Sequence, residues 1–200
     1  HLPAPPAFVP DDYIVTAVSG NKVSRRAVIY GAESVVLGGK CVIHAGAIIR
    51  GDLRRSPRTP AANAVMVLGR YNIIGQGGYP PTTSDHEWVR SVLTRQFMYL
   101  TLRIGDYCYI GDDAVIESAQ IGSRVYIGRG SIIVRTSTQG RMSVVRDCAA
   151  VLDGSVLAPG TVVPSMCIYS GAPARLVGFL PEGFSDDMEA ACRTHYRNFQ

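Results

Sequence analysis

The hydrophobic positions of the chain recur at a step of six residues. Aliphatic residues stand at Ile104, Ile110 and Ile116, and the series continues from Ile121 after one step of five. This period fits neither an α-helix of 3.6 residues per turn nor the simple alternation of one half-buried strand. The whole series is Leu37, Ile43, Ile49, Leu68, Ile74, Ile104, Ile110, Ile116, Ile121, Ile127, Ile133, Val145, Val151, Leu157, Val163 and Tyr169.

A small residue usually stands two positions before each aliphatic residue. Residues two apart in an extended strand face the same side, so both are predicted to point inward, while Arg124 points outward. Glycine often follows the aliphatic residue, as at Gly105, Gly111, Gly122 and Gly128, and we expect it to adopt the unusual backbone angles of a tight corner. Three such six-residue sides make one coil of a triangular prism. The small positions are Cys41, Ala47, Cys108, Ala114, Val125, Ser131, Ala149, Ser155, Thr161 and Cys167.

This pattern resembles the hexapeptide β-helix family, in which stacked coils align their aliphatic residues in ladders. The predicted fold class is an all-β solenoid, a left-handed parallel β-helix of hexapeptide repeats with a C-terminal α-helix. The left-handed winding is implied by the resemblance and not by the spacing. About six or seven coils are expected between residues 24 and 174.

The predicted organisation has three parts and two interruptions. Residues 1–12 form an N-terminal extension, residues 13–179 the β-helix and residues 180–200 a C-terminal helix. Loop insertions at about 54–64 and 79–101 break the period and are expected to protrude, because they carry proline and mixed polar residues. Their roles are left open.

Aromatic residues in the second insertion and polar residues near the C-terminus sharpen this prediction. Trp88, Phe97 and Tyr99 lie in the insertion, where their rings either pack back on the prism or contact a partner. Ser185 is expected to cap the terminal helix, with Asp186 and Asp187 in its first turn. The apolar face of that helix is Met188, Ala191, Cys192, His195 and Phe199, which we expect to pack along the prism.

Composition excludes several classes of protein. The chain has 200 residues, 46% of them hydrophobic, which suits one domain with a sizeable core. Its net charge of +4 comes with no basic run and no RNA-type aromatic motif, so we expect no nucleic-acid binding. Five cysteines without a CxxC pair indicate buried thiols in a reducing compartment. No apolar run reaches the length of a membrane span, and the predicted location is the cytoplasm, without membrane insertion.

One stretch resembles an enzyme family. The sequence "IIRGDL" is similar to the Arg-Gly-Asp turn of γ-class carbonic anhydrases, matched here by Arg50 and Asp52. That resemblance implies a structural or subunit-contact role for this pair. The enzyme needs three histidines to hold zinc, and the corresponding stretches "GGYPP", "YIGDDAV" and "IESAQIG" contain none.

The other enzymatic alternative is a hexapeptide acyltransferase, which also depends on histidine because it uses one as its general base. The candidates for that base are His44 and His86, and nothing nearby supplies a recognisable partner for either. His44, His86 and His195 lie far apart along the chain, so we expect no shared metal site and outward or locally bonded rings. Asp112, Asp113 and Glu117 are interpreted as a solvated acidic corner rather than as metal ligands.

The third alternative is a non-catalytic assembly subunit. The phrases "TAVSGNKVSRRAVIYG", "VVLGGKCVIHAGAIIRGDL", "RDCAAVLDGSVLAPGTVVPSMCIYSGAPA" and "LPEGFS" resemble the dynactin subunit 5 family in order and spacing. The resemblance implies a scaffold or cargo-adaptor subunit of the dynactin pointed-end complex, associated with the cytoskeleton and supporting dynein-driven transport. Implied partners are dynactin subunit 6, dynactin subunit 4 and the actin-related pointed-end protein.

Candidate contact residues come from the outward positions of the coils, from the second insertion and from the Arg-Gly-Asp turn. Tyrosines there provide amphipathic area of a kind enriched at interfaces, and surface tyrosines without a partner are the alternative. No catalytic, metal-binding or cofactor-binding residue is assigned. The candidates for partner contact or structure are Arg50, Asp52, Trp88, Phe97, Tyr99, Tyr107, Tyr109 and Tyr126.

Overall fold

The computed structural model describes residues 2–51, 66–77, 102–116, 119–133 and 143–200. The two insertions at about 54–64 and 79–101 lie outside the described residues. Single turns of 3-10 helix occupy Pro10–Asp12 and Ala32–Ser34. In chain order the strands are β1 (Tyr13–Val15), β2 (Lys22–Ser24), β3 (Val28–Tyr30), β4 (Val35–Gly39), β5 (Val42–Ile43), β6 (Ile48–Arg50), β7 (Met66–Arg70), β8 (Ile73–Ile74), β9 (Leu102–Ile104), β10 (Tyr109–Ile110), β11 (Val115–Ile116), β12 (Ala119–Ile121), β13 (Tyr126–Ile127), β14 (Ile132–Ile133), β15 (Ser143–Val145), β16 (Ala150–Val151), β17 (Val156–Leu157), β18 (Val162–Val163), β19 (Cys167–Gly171) and β20 (Ala174–Phe179).

The strands are distributed among three sides in a fixed rotation. Side 1 is a nine-stranded sheet in the order β1-β2-β5-β8-β10-β13-β16-β19-β20, parallel from β2 to β19. Side 2 contains the pair β3-β6 and the sheet β11-β14-β17, and side 3 is the sheet β4-β7-β9-β12-β15-β18. The described strands therefore follow sides 1, 2 and 3 in turn, with side 2 of the third coil outside the described residues, and successive coils pair in parallel. The described strands trace six coils from β2 to β18, and β19 begins a seventh, as the repeat predicts.

The repeated aliphatic residues form the core, as predicted. Ile127, Ile133 and Val145 are fully buried, one on each side of the same coil. The small residues two positions earlier point into the same space, where Val125 and Ser131 are also fully buried. Parallel pairing aligns identical positions, for example Ile110 with Ile127. This interior is continuous from Leu68 and Leu102 to Val163 and Ala174.

The expectation for the glycines after each aliphatic residue was wrong in its physical reason. Gly105, Gly111, Gly122 and Gly128 are absent from the positions with positive φ. They are needed because the next coil passes very close. A Cβ on Gly111 would lie 2.5 Å from the amide nitrogen of Arg129 and 2.7 Å from the carbonyl carbon of Gly128.

The left-handed backbone lies two residues further on, at Tyr107, Asp113, Arg124 and Gly130, and three of these four residues have side chains. At the corner between sides 3 and 1, φ is +56° at Tyr71, +58° at Tyr107 and +58° at Arg124. This conformation is sterically unfavourable for residues other than glycine. It therefore needs support from the stacked coils around it. The other residues of this corner with positive φ and a side chain are Lys40, Cys148 and Met166.

Aspartates connect neighbouring coils at two corners, the one between sides 3 and 1 and the one between sides 1 and 2. Oδ1 of Asp106 accepts a hydrogen bond from the backbone N–H of Arg70 at 2.7 Å, and Oδ1 of Asp112 does the same for Gln76 at 2.7 Å. The interpretation of Asp112 as merely solvated was therefore incomplete. The matching bonds of the later coils run from Ser123 N–H to Asp147 and from Arg129 N–H to Asp153.

The chain ends the coils with antiparallel strands and one helix. β1 pairs antiparallel with β2, and β20 pairs antiparallel with β19. Helix α1 spans Phe184–Asn198, with Asp186 and Asp187 in its first turn as predicted. Ser185 does not cap it, because the helix begins one residue earlier and Gly183 occupies the capping position without a side-chain bond.

Candidate functional site

Side 1 carries an outward row that the chain covers with its own helix. Val42, Ile73 and Tyr109 follow one another in register on the outer surface, yet each is at least nine-tenths buried. Met188 and Cys192 of α1 pack against this row, as the apolar face of the helix predicts. Ala150, one coil beyond the half-buried Tyr126, is buried as well.

Two of the tyrosines that were candidates for contact with a partner are therefore covered by the chain itself. Tyr107 and Tyr109 do point away from the prism interior, but they are 7% and 5% exposed because α1 lies over them. Tyr126 is half-buried at the edge of this contact. The rings stack in pairs across neighbouring coils, Tyr71 on Tyr107 with centroids 5.3 Å apart and Tyr109 on Tyr126 with centroids 5.4 Å apart. These residues hold the helix.

Arg193 ties the helix to the first of these stacks. Its guanidinium lies 5.4 Å from the ring centroids of both Tyr71 and Tyr107, a distance suited to cation–π attraction. It also donates a hydrogen bond of 2.9 Å to the Tyr107 hydroxyl and pairs with Glu189 one turn earlier. Tyr71 and Tyr107 are two of the left-handed corner residues, so this corner builds the surface on which α1 rests.

Lys22 fixes the C-terminal end of the helix. Its ammonium donates to the carbonyls of Tyr196 and Phe199, which belong to the last turn of α1 and the residue after it. It also lies 4.1 Å from the centroid of the Tyr196 ring. A cation at a helix C-terminus satisfies carbonyls that have no partner within the helix and complements the helix dipole. Burial lowers the pKa of Lys22.

The segment "SGNKVSR", residues 19–25, makes further contacts with the end of α1 and with the next coil. Gly20, in a left-handed conformation, accepts a 2.7 Å hydrogen bond from the Tyr196 hydroxyl through its carbonyl. The side chain of Asn21 accepts from the N–H of Cys41 in the next coil at 2.9 Å. Sequence reasoning found the phrase but missed its role. A lysine in an otherwise apolar outward row was the available signal.

A buried pair of histidines completes the contact, whereas outward or locally bonded rings were expected. The rings of His44, which follows β5, and His195, in α1, have centroids 5.8 Å apart. His44 shares a 3.2 Å hydrogen bond between Nδ1 and the Tyr13 hydroxyl. Phe199 packs edge-on against His44 and against Tyr13. Tertiary contact between the first coils and the terminal helix brings the two histidines together.

Both imidazoles are disfavoured as cations. Burial, followed by the neighbouring His195, lowers the pKa of His44 to about 4. Burial also lowers the pKa of His195, and the nearby Pro3 carbonyl opposes that shift. Neither ring nitrogen of His195 has a partner at hydrogen-bond geometry. His86, the other internal histidine, lies outside the described residues.

Sides 2 and 3 lack such a cover in the part of the chain that the structure describes. On side 2, Val115, Ile132 and Val156 stand in register on adjacent coils, and the first two are exposed by 44% and 36%. The corresponding row of side 3 mixes aliphatic and polar residues. That row is Val36, Val67, Arg103, Gln120, Val144 and Val162.

The remaining candidates divide between one described residue and four others. The guanidinium of Arg50, on side 2, lies 5.1 Å from the centroid of the Tyr30 ring, its partner in the β3-β6 register. Asp52, Trp88, Phe97 and Tyr99 lie outside the described residues. The possible pairing of Arg50 with Asp52 stays a prediction.

Within the described ranges, no group of three or more histidine, cysteine, aspartate or glutamate side chains is placed to hold a metal ion. The thiols are free, and four of the five are buried, as predicted. Burial raises the pKa of Cys108 to about 12. This value is far above the range of reactive cysteines.

The fold has counterparts among solved transferases. A hexapeptide transferase family protein from Anaplasma phagocytophilum superposes with a TM-score of 0.54 at 17% identity, covering 96% of this chain and 98% of that one. The N-acyltransferase AntD from Bacillus cereus, in complex with dTDP and 3-hydroxybutyryl-CoA, gives 0.59 at 15% identity over 87% of each chain. At such low identity the likeness concerns the fold alone. The protein is thus of the hexapeptide-repeat β-helix class.

The chain belongs to the dynactin subunit 5 family, whose model matches residues 7–200. Dynactin subunit 5 of Dictyostelium discoideum is 32% identical over 119 residues, which are 60% of this chain and 52% of that protein. The match therefore spans about half the length of that relative. The family match confirms the resemblance of the quoted sequence segments to dynactin subunit 5.

No helix among the described residues is both long enough and apolar enough to cross a membrane.

Proposed function

We propose that the protein is a non-catalytic scaffold or cargo-adaptor subunit of the dynactin pointed-end complex. Membership of the dynactin subunit 5 family along nearly the whole described chain is the observation that carries the proposal. Its setting is the cytoplasm, associated with the cytoskeleton, and its role is to support dynein-driven transport along microtubules. Left-handed winding of the coils belongs to this proposal as well.

The proposed docking surface is side 2. A rigid stack of coils offers long flat sides for packing against a neighbouring subunit. Side 1 is occupied by α1, and the described row of side 3 is interrupted by Arg103 and Gln120. Side 2 presents Val115 and Ile132 on adjacent coils, an apolar patch of the kind found at the centre of interfaces. The proposed neighbours are dynactin subunit 6, dynactin subunit 4 and the actin-related pointed-end protein.

The position of His44 argues against the acyltransferase alternative. A general base must reach the proton it removes. His44 is 3% exposed, bonded to Tyr13 and covered by Phe199, so it does not face a cofactor groove. Three histidines would be required for the carbonic anhydrase alternative, and the described coil positions that correspond to them hold none. Stoichiometric zinc together with carbon dioxide hydration would overturn the non-catalytic part of the proposal.

Co-purification tests the assignment. The tagged protein, isolated gently from its own cells, is expected to bring down other dynactin subunits that mass spectrometry identifies. Ile132→Glu places a charge in the patch of side 2 and should reduce their recovery severalfold, since charged residues are depleted from interface centres. Val162→Glu is the matched control, because Val162 is equally outward and 46% exposed but lies on side 3.

The outcomes separate the two parts of the proposal. If the unaltered protein recovers no dynactin subunit, membership of the complex is refuted. If Ile132→Glu and Val162→Glu both recover the subunits normally, the protein belongs to the complex but side 2 is not its docking surface.

A further inference from the structure

His44 and His195 occupy the contact between the coils and α1 rather than a solvent-facing position. They are 3% and 6% exposed, and one ring belongs to each partner of the contact. Aromatic side chains surround the pair. The ring centroids of Phe199 and His44 lie 5.0 Å apart, and those of Phe8, in the N-terminal segment, and Phe199 also lie 5.0 Å apart. Charging either imidazole while the helix stays docked would bury a cation in this apolar cluster.

The groups facing the pair offer no compensating negative charge. The charged group that this cluster contains is itself positive: the ammonium of Lys22 donates to the Phe199 carbonyl and lies 5.9 Å from the centroid of the Phe199 ring. Neither ion pair between described residues, Arg70 with Asp106 or Arg193 with Glu189, involves the cluster. The titratable or charged groups around the pair are Tyr13 from β1, Lys22 from β2 and Tyr196 from α1, with the exposed Asp12 and Arg26 acting on Tyr13.

We propose that the His44 and His195 pair makes the docking of α1 pH-sensitive, so that acidification from neutral pH releases the helix from side 1. Release gives each imidazole water and lets it bind a proton. It also uncovers the stacked tyrosines and the apolar row from Val42 to Tyr109. The prism itself keeps its ladders, because neither histidine lies in the interior between the coils.

The direction and size of the effect follow from linkage. Groups whose pKa is lower in the docked state support docking fully above their ordinary pKa of 6.5, and this support is lost as the pH falls toward the docked value. With the pKa of docked His44 at about 4, the ratio of docked to released helix falls about twentyfold between pH 7 and pH 5 from this residue alone. The lowered pKa of His195 acts in the same direction.

Hydrogen exchange measured by mass spectrometry on the full chain tests the switch. Labelling times at pH 7 and pH 5 are scaled for the intrinsic exchange rate, and peptides from α1 are compared with peptides from β16 and β17. We expect protection of α1 to fall at least about tenfold relative to these strands as the pH is lowered.

Two variants assign the effect to the pair. His44→Gln with His195→Phe removes both titrations while keeping an amide for the Tyr13 hydroxyl and a ring in place of an imidazole whose nitrogens are unbonded. This double variant should keep α1 protected at pH 5, whereas His86→Gln, the control, should behave like the unaltered protein. His195→Phe alone, expected to show a reduced pH response, serves if the double variant does not fold.

Three results would overturn the proposal. The first is full protection of α1 at pH 5 in the unaltered protein. The second is the same loss of protection in the histidine variants as in the unaltered protein. The third is equal loss in the strands, which would mean that acid unfolds the whole chain.

Discussion

At the scale of single residues, glycine serves this fold through the space that it leaves empty. Where a glycine follows an aliphatic residue, as at Gly111, it lies where the backbone of the next coil passes, and the left-handed corner between sides 3 and 1 is assigned to Tyr71, Tyr107 and others with side chains. The exchange has a purpose at those two tyrosines, because their rings form the stack under Arg193. A glycine there would relieve the backbone and remove the contact with α1.

Gly111→Ala tests this role of glycine. Its Cβ would lie 2.5 Å from the Arg129 nitrogen, so neighbouring coils must separate, and we expect the free energy of unfolding to fall by about 2 kcal/mol. Gly178→Ala is the control, since the nearest atom to its Cβ would be Cδ1 of Ile168 at 3.9 Å, an ordinary contact. Denaturant unfolding measures both. Equal stability of the two variants would contradict the close approach of the coils.

At the scale of elements, helix α1 is held at both its middle and its end. Arg193 engages the tyrosine stack, and Lys22 binds the last carbonyls. A helix of 15 residues is marginal in isolation, so most of its stability must come from these contacts and from its buried face. The N-terminal segment contributes through Phe8, which packs against Phe199.

Lys22→Met separates the charge from the packing at this end. Methionine keeps the apolar stem but leaves the carbonyls of Tyr196 and Phe199 without their donor, at a cost of about 1–3 kcal/mol. Hydrogen exchange of the last turn of α1 should become faster. Lys40→Met is the control, because the Lys40 ammonium lies 5.3 Å from the centroid of the Tyr71 ring and, among the described residues, the hydrogen bonds to the helix end come from Lys22. Unchanged exchange in Lys22→Met would show that packing alone holds the turn.

At the scale of the whole molecule, stability depends on ladders that run through every coil. Ile127 is fully buried and pairs on one side with Ile110 and on the other with Val151. Each coil contacts only its neighbours, so damage at this position, in the fifth coil, disrupts the packing of the coils on both sides of it.

Ile127→Asp should therefore be severe. It buries a carboxylate among aliphatic side chains, and we expect a loss of more than about 4 kcal/mol or failure to fold. Arg124→Ala should be mild. Arg124 is only partly buried at a corner of the coil, and alanine, like arginine, has a Cβ, so the cost of the left-handed backbone stays about the same. Soluble yield and unfolding midpoint compare them. Similar losses in both would refute the assignment of inward and outward positions.

The sequence predicted the ladders well because a six-residue period is a local property that stacking repeats in every coil. The helical spacing of Met188, Cys192 and His195 predicted the apolar face of α1 equally well. The surface against which that face packs was not predicted, because the approach of His195 to His44 joins residues about 150 positions apart. The same holds for Lys22, because the residues next to it in the sequence give no sign that its ammonium binds carbonyls at the end of α1. Repetition predicts the coils, while the site depends on where the C-terminal helix docks.

The cover on side 1 also has a consequence for protein synthesis. Helix α1 follows every coil that it covers, so a ribosome releases the row from Val42 to Tyr109 long before it releases Cys192 and Phe199. Throughout that interval the nascent prism exposes an apolar strip that the finished protein hides. A premature stop codon just before Phe184 would make this exposure permanent. The truncated product would keep its coils and become a substrate for chaperones or for aggregation.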